Sequence, residues 1–108
     1  MGAQHDLRRQ GHGQSACALL VEARPDLVIF QAGVDCHLDD PKSQAGLSTA
    51  ELFYRDLAVF GMVRDLAIPI LFVVAGGYQK AETVARLNAN TVRAARYIHR
   101  GGSGQAAA

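Results

Sequence analysis

Two short stretches of this chain carry side chains able to do chemistry. Asp35 follows Gly33 in Gln31-Ala32-Gly33-Val34-Asp35-Cys36-His37-Leu38-Asp39-Asp40-Pro41, and Tyr78 follows two glycines in Ala75-Gly76-Gly77-Tyr78, 43 residues later. Each stretch closes an apolar run with a glycine turn. A carboxylate placed there can ligate zinc, with a metal–oxygen distance of about 2.0–2.2 Å. Taken alone, Asp35 reads equally as the cap of a turn. Glycines let the backbone approach a substrate closely. A phenol beside them can donate a hydrogen bond to an oxygen that gains charge during a reaction. A glycine turn before a helix can also cradle phosphate. However, Ala75-Gly76-Gly77-Tyr78-Gln79-Lys80 fits neither the dinucleotide fingerprint nor the P-loop pattern, so nucleotide binding is set aside.

The elements that position these residues follow from periodicity. Ala16, Leu19, Leu20 and Ala23 form one face of a short helix from Ser15, stopped by Pro25. Leu27-Val28-Ile29-Phe30 is continuously apolar and predicts a strand buried on both faces. Ser48-Thr49-Ala50-Glu51 spells a capping box. The helix it opens runs to about Leu66, with Phe53, Leu57, Phe60 and Ala67 at helical spacing and Leu52, Val59, Val63 and Leu66 on adjoining rows. Glu51 and Arg55 stand one turn apart on its wet side. Pro69 ends the helix before Ile68. Ile70 to Ala75 reads as a second buried strand. A last helix covers about Ala81 to His99, with Val84, Leu87, Thr91, Ala94 and Ile98 inward and Arg86, Arg93, Arg96 and Arg100 on a solvated side. Residues 1–14 are expected to be loose or only partly helical, residues 15–100 folded, and residues 101–108 a flexible tail.

Strand, helix, strand, helix implies an α/β fold built on a right-handed βαβ unit with parallel strands. Two strands apolar on both faces need helices above and below, and further strands beside them. On this ground the chain looks cut from a larger sheet. The ligand-bearing edge of such a sheet lies outside the carboxyl ends of its strands, where Asp35 and Tyr78 both fall.

Composition excludes other classes. Eleven basic residues against ten acidic ones leave a net charge of +1, which offers no case for nucleic-acid or membrane binding. No apolar run approaches the roughly 20 residues that span a bilayer, and Met1 to Arg9 lacks the apolar core of a secretory signal. Cys17 and Cys36 show no CxxC spacing and read as reduced thiols, so a cytoplasmic location is expected.

The two motifs, in this order and with a βαβ unit between them, resemble the final third of the zinc-dependent deacetylases of the arginase–deacetylase fold. That family includes histone deacetylases and acetylpolyamine amidohydrolases, and its bacterial histone-deacetylase-like members look most similar. The resemblance covers about residues 24–96. It implies a three-layer αβα fold with a βαβα core in this stretch. It also implies a hydrolase that removes acetyl groups from acetyl-lysine or acetylpolyamine amides by attack of a metal-bound water. Asp35 falls on a zinc ligand, Tyr78 on the tyrosine that stabilises the oxyanion, and Gly76 and Gly77 on the substrate pocket. Asp35-Cys36-His37 also spells the family's earlier Asp-x-His ligand pair. Its flank, Leu38-Asp39-Asp40-Pro41, instead marks Asp35 as the last ligand, leaves His37 in the loop and turns Asp39 and Asp40 toward loop amides.

Three departures follow from the comparison of motifs. The tandem histidines that activate water have no counterpart, since His5, His12, His37 and His99 are isolated. The other two zinc ligands are missing, whereas a catalytic zinc takes about three protein ligands. Pro41-Lys42-Ser43-Gln44-Ala45-Gly46 replaces a more apolar Pro-Leu-Gly-Gly rim. The resemblance therefore implies an incomplete deacetylase that lacks the N-terminal part of its domain and is inactive alone. The alternative is a non-enzymatic α/β remnant or a partner-binding module.

Overall fold

The computed structural model describes the backbone of residues 12–104 and the side chains of residues 16–104. The elements in order are α1 (His12–Ala23), β1 (Val28–Gln31), α2 (Thr49–Asp65), β2 (Ile70–Val73) and α3 (Ala81–His99). α1 begins three residues before the expected Ser15, so residues 12–14 are the helical part of the N-terminal segment. Extending a formed helix adds one hydrogen bond per residue, and polarity alone does not prevent it. Residues 1–11 and 105–108, which carry the rest of the expected loose ends, lie outside the described residues.

β1 and β2 pair in parallel, with Val28 opposite Ile70 and Gln31 opposite Val73. Ala32 extends the pairing by donating to the Val73 carbonyl at 2.9 Å. α2 provides the crossover. Its capping box forms as expected: Ser48 Oγ accepts from the Glu51 N–H, and Glu51 Oε1 accepts from the Ser48 N–H. Glu51 is thereby turned to the helix start, and its pairing with Arg55 is not formed. Arg55 bends inward to Asp56 instead.

Both long helices lie on one face of the sheet. Phe30, Ile70 and Phe72 meet Leu57 and Phe60 of α2 and Ala94 and Ile98 of α3. Phe60 stands edge-on to Phe30 at 5.8 Å and to Phe72 at 5.1 Å between centroids, the favoured arrangement for aromatic quadrupoles. A second cluster of Val34, Leu52 and Leu87 continues the core under the loops at the strand ends. The opposite sheet face is open, with Ile29 66% and Leu71 53% exposed. Burial on both faces was expected from the apolar strands. Among the described residues one face is partly buried and the other open, because no described helix covers Ile29 and Leu71. The described residues form two layers of a small α/β unit and not three.

Both long helices end in Schellman motifs. After α3, Gly101 at φ 95° donates to Ile98 and Gly102 donates to Tyr97. Arg64 of α2 also donates to the Gly102 carbonyl. Residues 101–104 are thus tied back rather than free, which corrects that part of the expected tail. After α2 the left-handed position falls on Ala67, at φ 56°, with Ala67 donating to Arg64 and Ile68 to Val63.

Candidate functional site

The loops after β1 and β2 meet at the carboxyl end of the sheet. Gly33 and Gly76 set how closely. A Cβ on Gly33 would lie 2.6 Å from the Ala75 carbonyl oxygen. A Cβ on Gly76 would lie 2.7 Å from Asp35 Cγ and 2.9 Å from both carboxylate oxygens. Gly76 sits at φ 63° and Gly77 at φ 125°, a backbone path that only glycine follows without strain. The Asp35 side chain therefore packs on the bare backbone of the glycine turn that carries Tyr78.

Asp40 and His37, the buried polar side chains of the first loop, are both engaged. Asp40 is 5% exposed and bridges the two loops: Oδ1 accepts the Lys42 N–H and Oδ2 the Tyr78 N–H, both at 2.8 Å. Asp40 thus meets loop amides, as read from the sequence, while Asp39 engages through its own N–H. His37 is buried, and its Nδ1 accepts the Asp39 N–H at 3.1 Å and faces the Gln79 amide at 3.3 Å. Nδ1 being an acceptor, the ring proton belongs on Nε2, which lies 2.9 Å from Thr49 Oγ1. Both nitrogens are occupied, so His37 is a loop brace with no lone pair left for a metal. Leu38 and Leu47 close the loop from behind through backbone bonds to Leu47 and Cys36.

Asp35 differs from the engaged Asp40 and from the exposed Asp39. No hydrogen bond or ion pair holds its carboxylate among the described residues, although the side chain is half-buried between the two glycine turns. It is the one carboxylate of the loop placed against the second turn with its lone pairs available. Among the described residues no three of His, Cys, Asp and Glu gather to hold a metal ion. The chemistry of Asp35 fits one ligand of a zinc site, and the described side chains of residues 16–104 do not complete the set. Tyr78 presents its side chain half-exposed at the same edge, with the Lys42 ammonium 4.5 Å from its ring centroid. Cys36 is packed, its thiol donating weakly to the Gly33 carbonyl; burial pushes the thiol up and Arg55 partly offsets this.

A further group behind the loop escaped the sequence reading. Asp56 of α2, 1% exposed, accepts a 2.6 Å hydrogen bond from the Thr91 hydroxyl of α3 and pairs with Arg55. The available signal was an acid four residues after Leu52 and four before Phe60, on an otherwise apolar helix face.

Comparison with known proteins bears on the family of the chain. The histone deacetylase domain profile matches residues 9–95. An uncharacterized protein of Picosynechococcus sp. is 34% identical over 62 residues, 57% of this chain and 21% of that protein. Histone deacetylase 2 of Arabidopsis thaliana is 35% identical over 69 residues, 64% of this chain and 17% of that protein. The matched stretch thus spans about a fifth of the length of these curated relatives. No described helix is long and apolar enough to cross a membrane.

Proposed function

Since this chain belongs to the histone deacetylase family, we propose that it forms one edge of a zinc-dependent deacetylase site, with Asp35 as a metal ligand and Tyr78 as the oxyanion donor. The observation that carries this reading is the packing of the unengaged Asp35 carboxylate against Gly76, two residues before Tyr78. A bound zinc would supply Lewis acidity toward the acyl oxygen and the attacking water. Asp35 would contribute one donor to it. The Tyr78 hydroxyl would donate to the acyl oxygen as the carbonyl carbon becomes tetrahedral, while Gly76 and Gly77 leave room for the acyl group. The net reaction adds water across the amide C–N bond, releasing acetate and a protonated amine. Acetyl-lysine and acetylpolyamines are the proposed substrates, and the cytoplasm the proposed location.

A catalytic zinc takes about three protein ligands, so the remaining donors must come from outside the described side chains of residues 16–104. In that setting the sheet gains its third layer over Ile29 and Leu71, and the 108 residues alone are inactive. The competing reading is a non-enzymatic α/β remnant or a module that binds a partner.

A hybrid enzyme separates the two. This chain replaces its matched stretch in the Arabidopsis histone deacetylase 2, and hydrolysis of an acetyl-lysine peptide is followed with zinc present. The deacetylase reading expects turnover that falls by about 10²–10³ in Tyr78→Phe, the usual loss of one oxyanion donor. A folded hybrid with no turnover, or one indifferent to Tyr78→Phe, supports the module.

A further inference from the structure

We propose that Arg55 is a positioning residue that fixes the Asp35 loop from behind, through a guanidinium shared between that loop and the buried Asp56–Thr91 pair. Its catalytic meaning rests on the reading of Asp35 as a metal ligand.

The guanidinium is divided between two tasks. Nη1 donates to the Gly33 carbonyl at 2.7 Å and to the Cys36 sulfur at 3.4 Å, the residues on either side of Val34-Asp35. Nε donates to Asp56 Oδ1 at 2.9 Å. Nη2 lies 2.9 Å from the same oxygen without the angle of a hydrogen bond, so it adds charge and no direction. The other Asp56 oxygen is held by Thr91 at 2.6 Å, which anchors the assembly to α3. The guanidinium carbon Cζ lies over Phe30 of β1, 5.5 Å from the ring centroid. β1, α2, α3 and the loop are thus joined through one side chain.

A surface arginine would have no reason to sit this way. Burying a carboxylate as deeply as Asp56 requires a charge partner and full hydrogen bonding. Arg55 meets that requirement with one edge of its fork and leaves the other edge aimed at the loop. A lysine can satisfy only one of these, because an ammonium has no rigid fork. Arg55→Lys therefore separates charge pairing from positioning. With the ammonium on Asp56, the Gly33 carbonyl loses its guanidinium donor, keeping only the weak Cys36 thiol, while the ion pair persists.

The test is amide hydrogen exchange of the full 108-residue chain, read residue by residue. The His37 amide, bonded to Val34, and the Leu47 amide, bonded to Cys36, report on the loop; β2 and α3 report on the fold. In Arg55→Lys the loop amides should exchange about tenfold faster while β2 and α3 keep their protection. The double variant Arg55→Met with Asp56→Asn, which leaves no buried charge unpaired, should show the same loop-specific loss. In the hybrid enzyme, Arg55→Lys should lower kcat and leave KM unchanged. Unchanged loop exchange, or an equal rise in every element, overturns the assignment. Should Asp35→Ala leave the hybrid active, the ligand reading fails, and the loop-specific exchange still decides the role of Arg55.

Discussion

Asp40 and Tyr78 are joined across 38 positions of sequence, the buried carboxylate of one accepting the backbone N–H of the other at 2.8 Å. The bond does not touch the phenol, yet it sets where the phenol starts. With Lys42 on its second oxygen, Asp40 makes the loop after β1 and the turn after β2 a single rigid edge. Hydrogen bonds to a charged acceptor contribute about 1.5–3 kcal/mol each at most. Asp40→Ala, which removes two such bonds, should therefore lower unfolding free energy by about 3–6 kcal/mol in urea titrations, with Asp40→Asn losing less because it keeps one acceptor oxygen.

The Asp56–Thr91 contact predicts a graded series. Thr91→Val removes one donor to a fully buried carboxylate and should cost about 1–3 kcal/mol. Asp56→Ala strands the Arg55 charge and should cost about 3–5 kcal/mol. Chemical unfolding of both variants checks the order; a Thr91→Val loss equal to that of Asp56→Ala would contradict it.

Ala67 offers the opposite sign. It occupies the left-handed position of a Schellman motif that glycine fills at no steric cost. Ala67→Gly should raise stability by about 1 kcal/mol, less the backbone entropy that glycine loses, and thermal unfolding should shift upward by a few degrees.

The capping box sets an acid-side dependence. The Ser48 backbone N–H first, and its hydroxyl second, hold the Glu51 carboxyl below its ordinary range. A depressed carboxyl contributes stability that is present above its unfolded pKa and lost as pH falls through its folded one. Stability should therefore drop as pH falls below the ordinary glutamate range. Glu51→Gln should flatten that part of the curve, measured as melting temperature against pH.

Much of this was readable in the chain because it is local. The capping box lies within four residues, the α3 stripe within one helix, and the two glycine turns each follow an apolar run. What was not readable depends on which way a side chain turns. Arg55 stands one turn from Glu51, so spacing alone paired them outward; the structure spends Glu51 on the cap and draws Arg55 in to Asp56. The exposed face of β1 and β2 escaped for a related reason. Apolar sequence says that a face is suited to burial, and only the packing says whether described residues cover it. The Asp40–Tyr78 bond joins two loops whose approach is set by Gly33 and Gly76, and no period in either loop encodes it.

The most direct measurement is zinc binding by the hybrid enzyme with and without Asp35. Equilibrium dialysis should give one tightly held zinc in the parent hybrid, and Asp35→Ala should weaken its retention by 100-fold or more, on the order expected for losing one of about three protein ligands, with turnover lost in parallel. Equal zinc retention and equal turnover in the two proteins would contradict the assignment of Asp35 as a metal ligand.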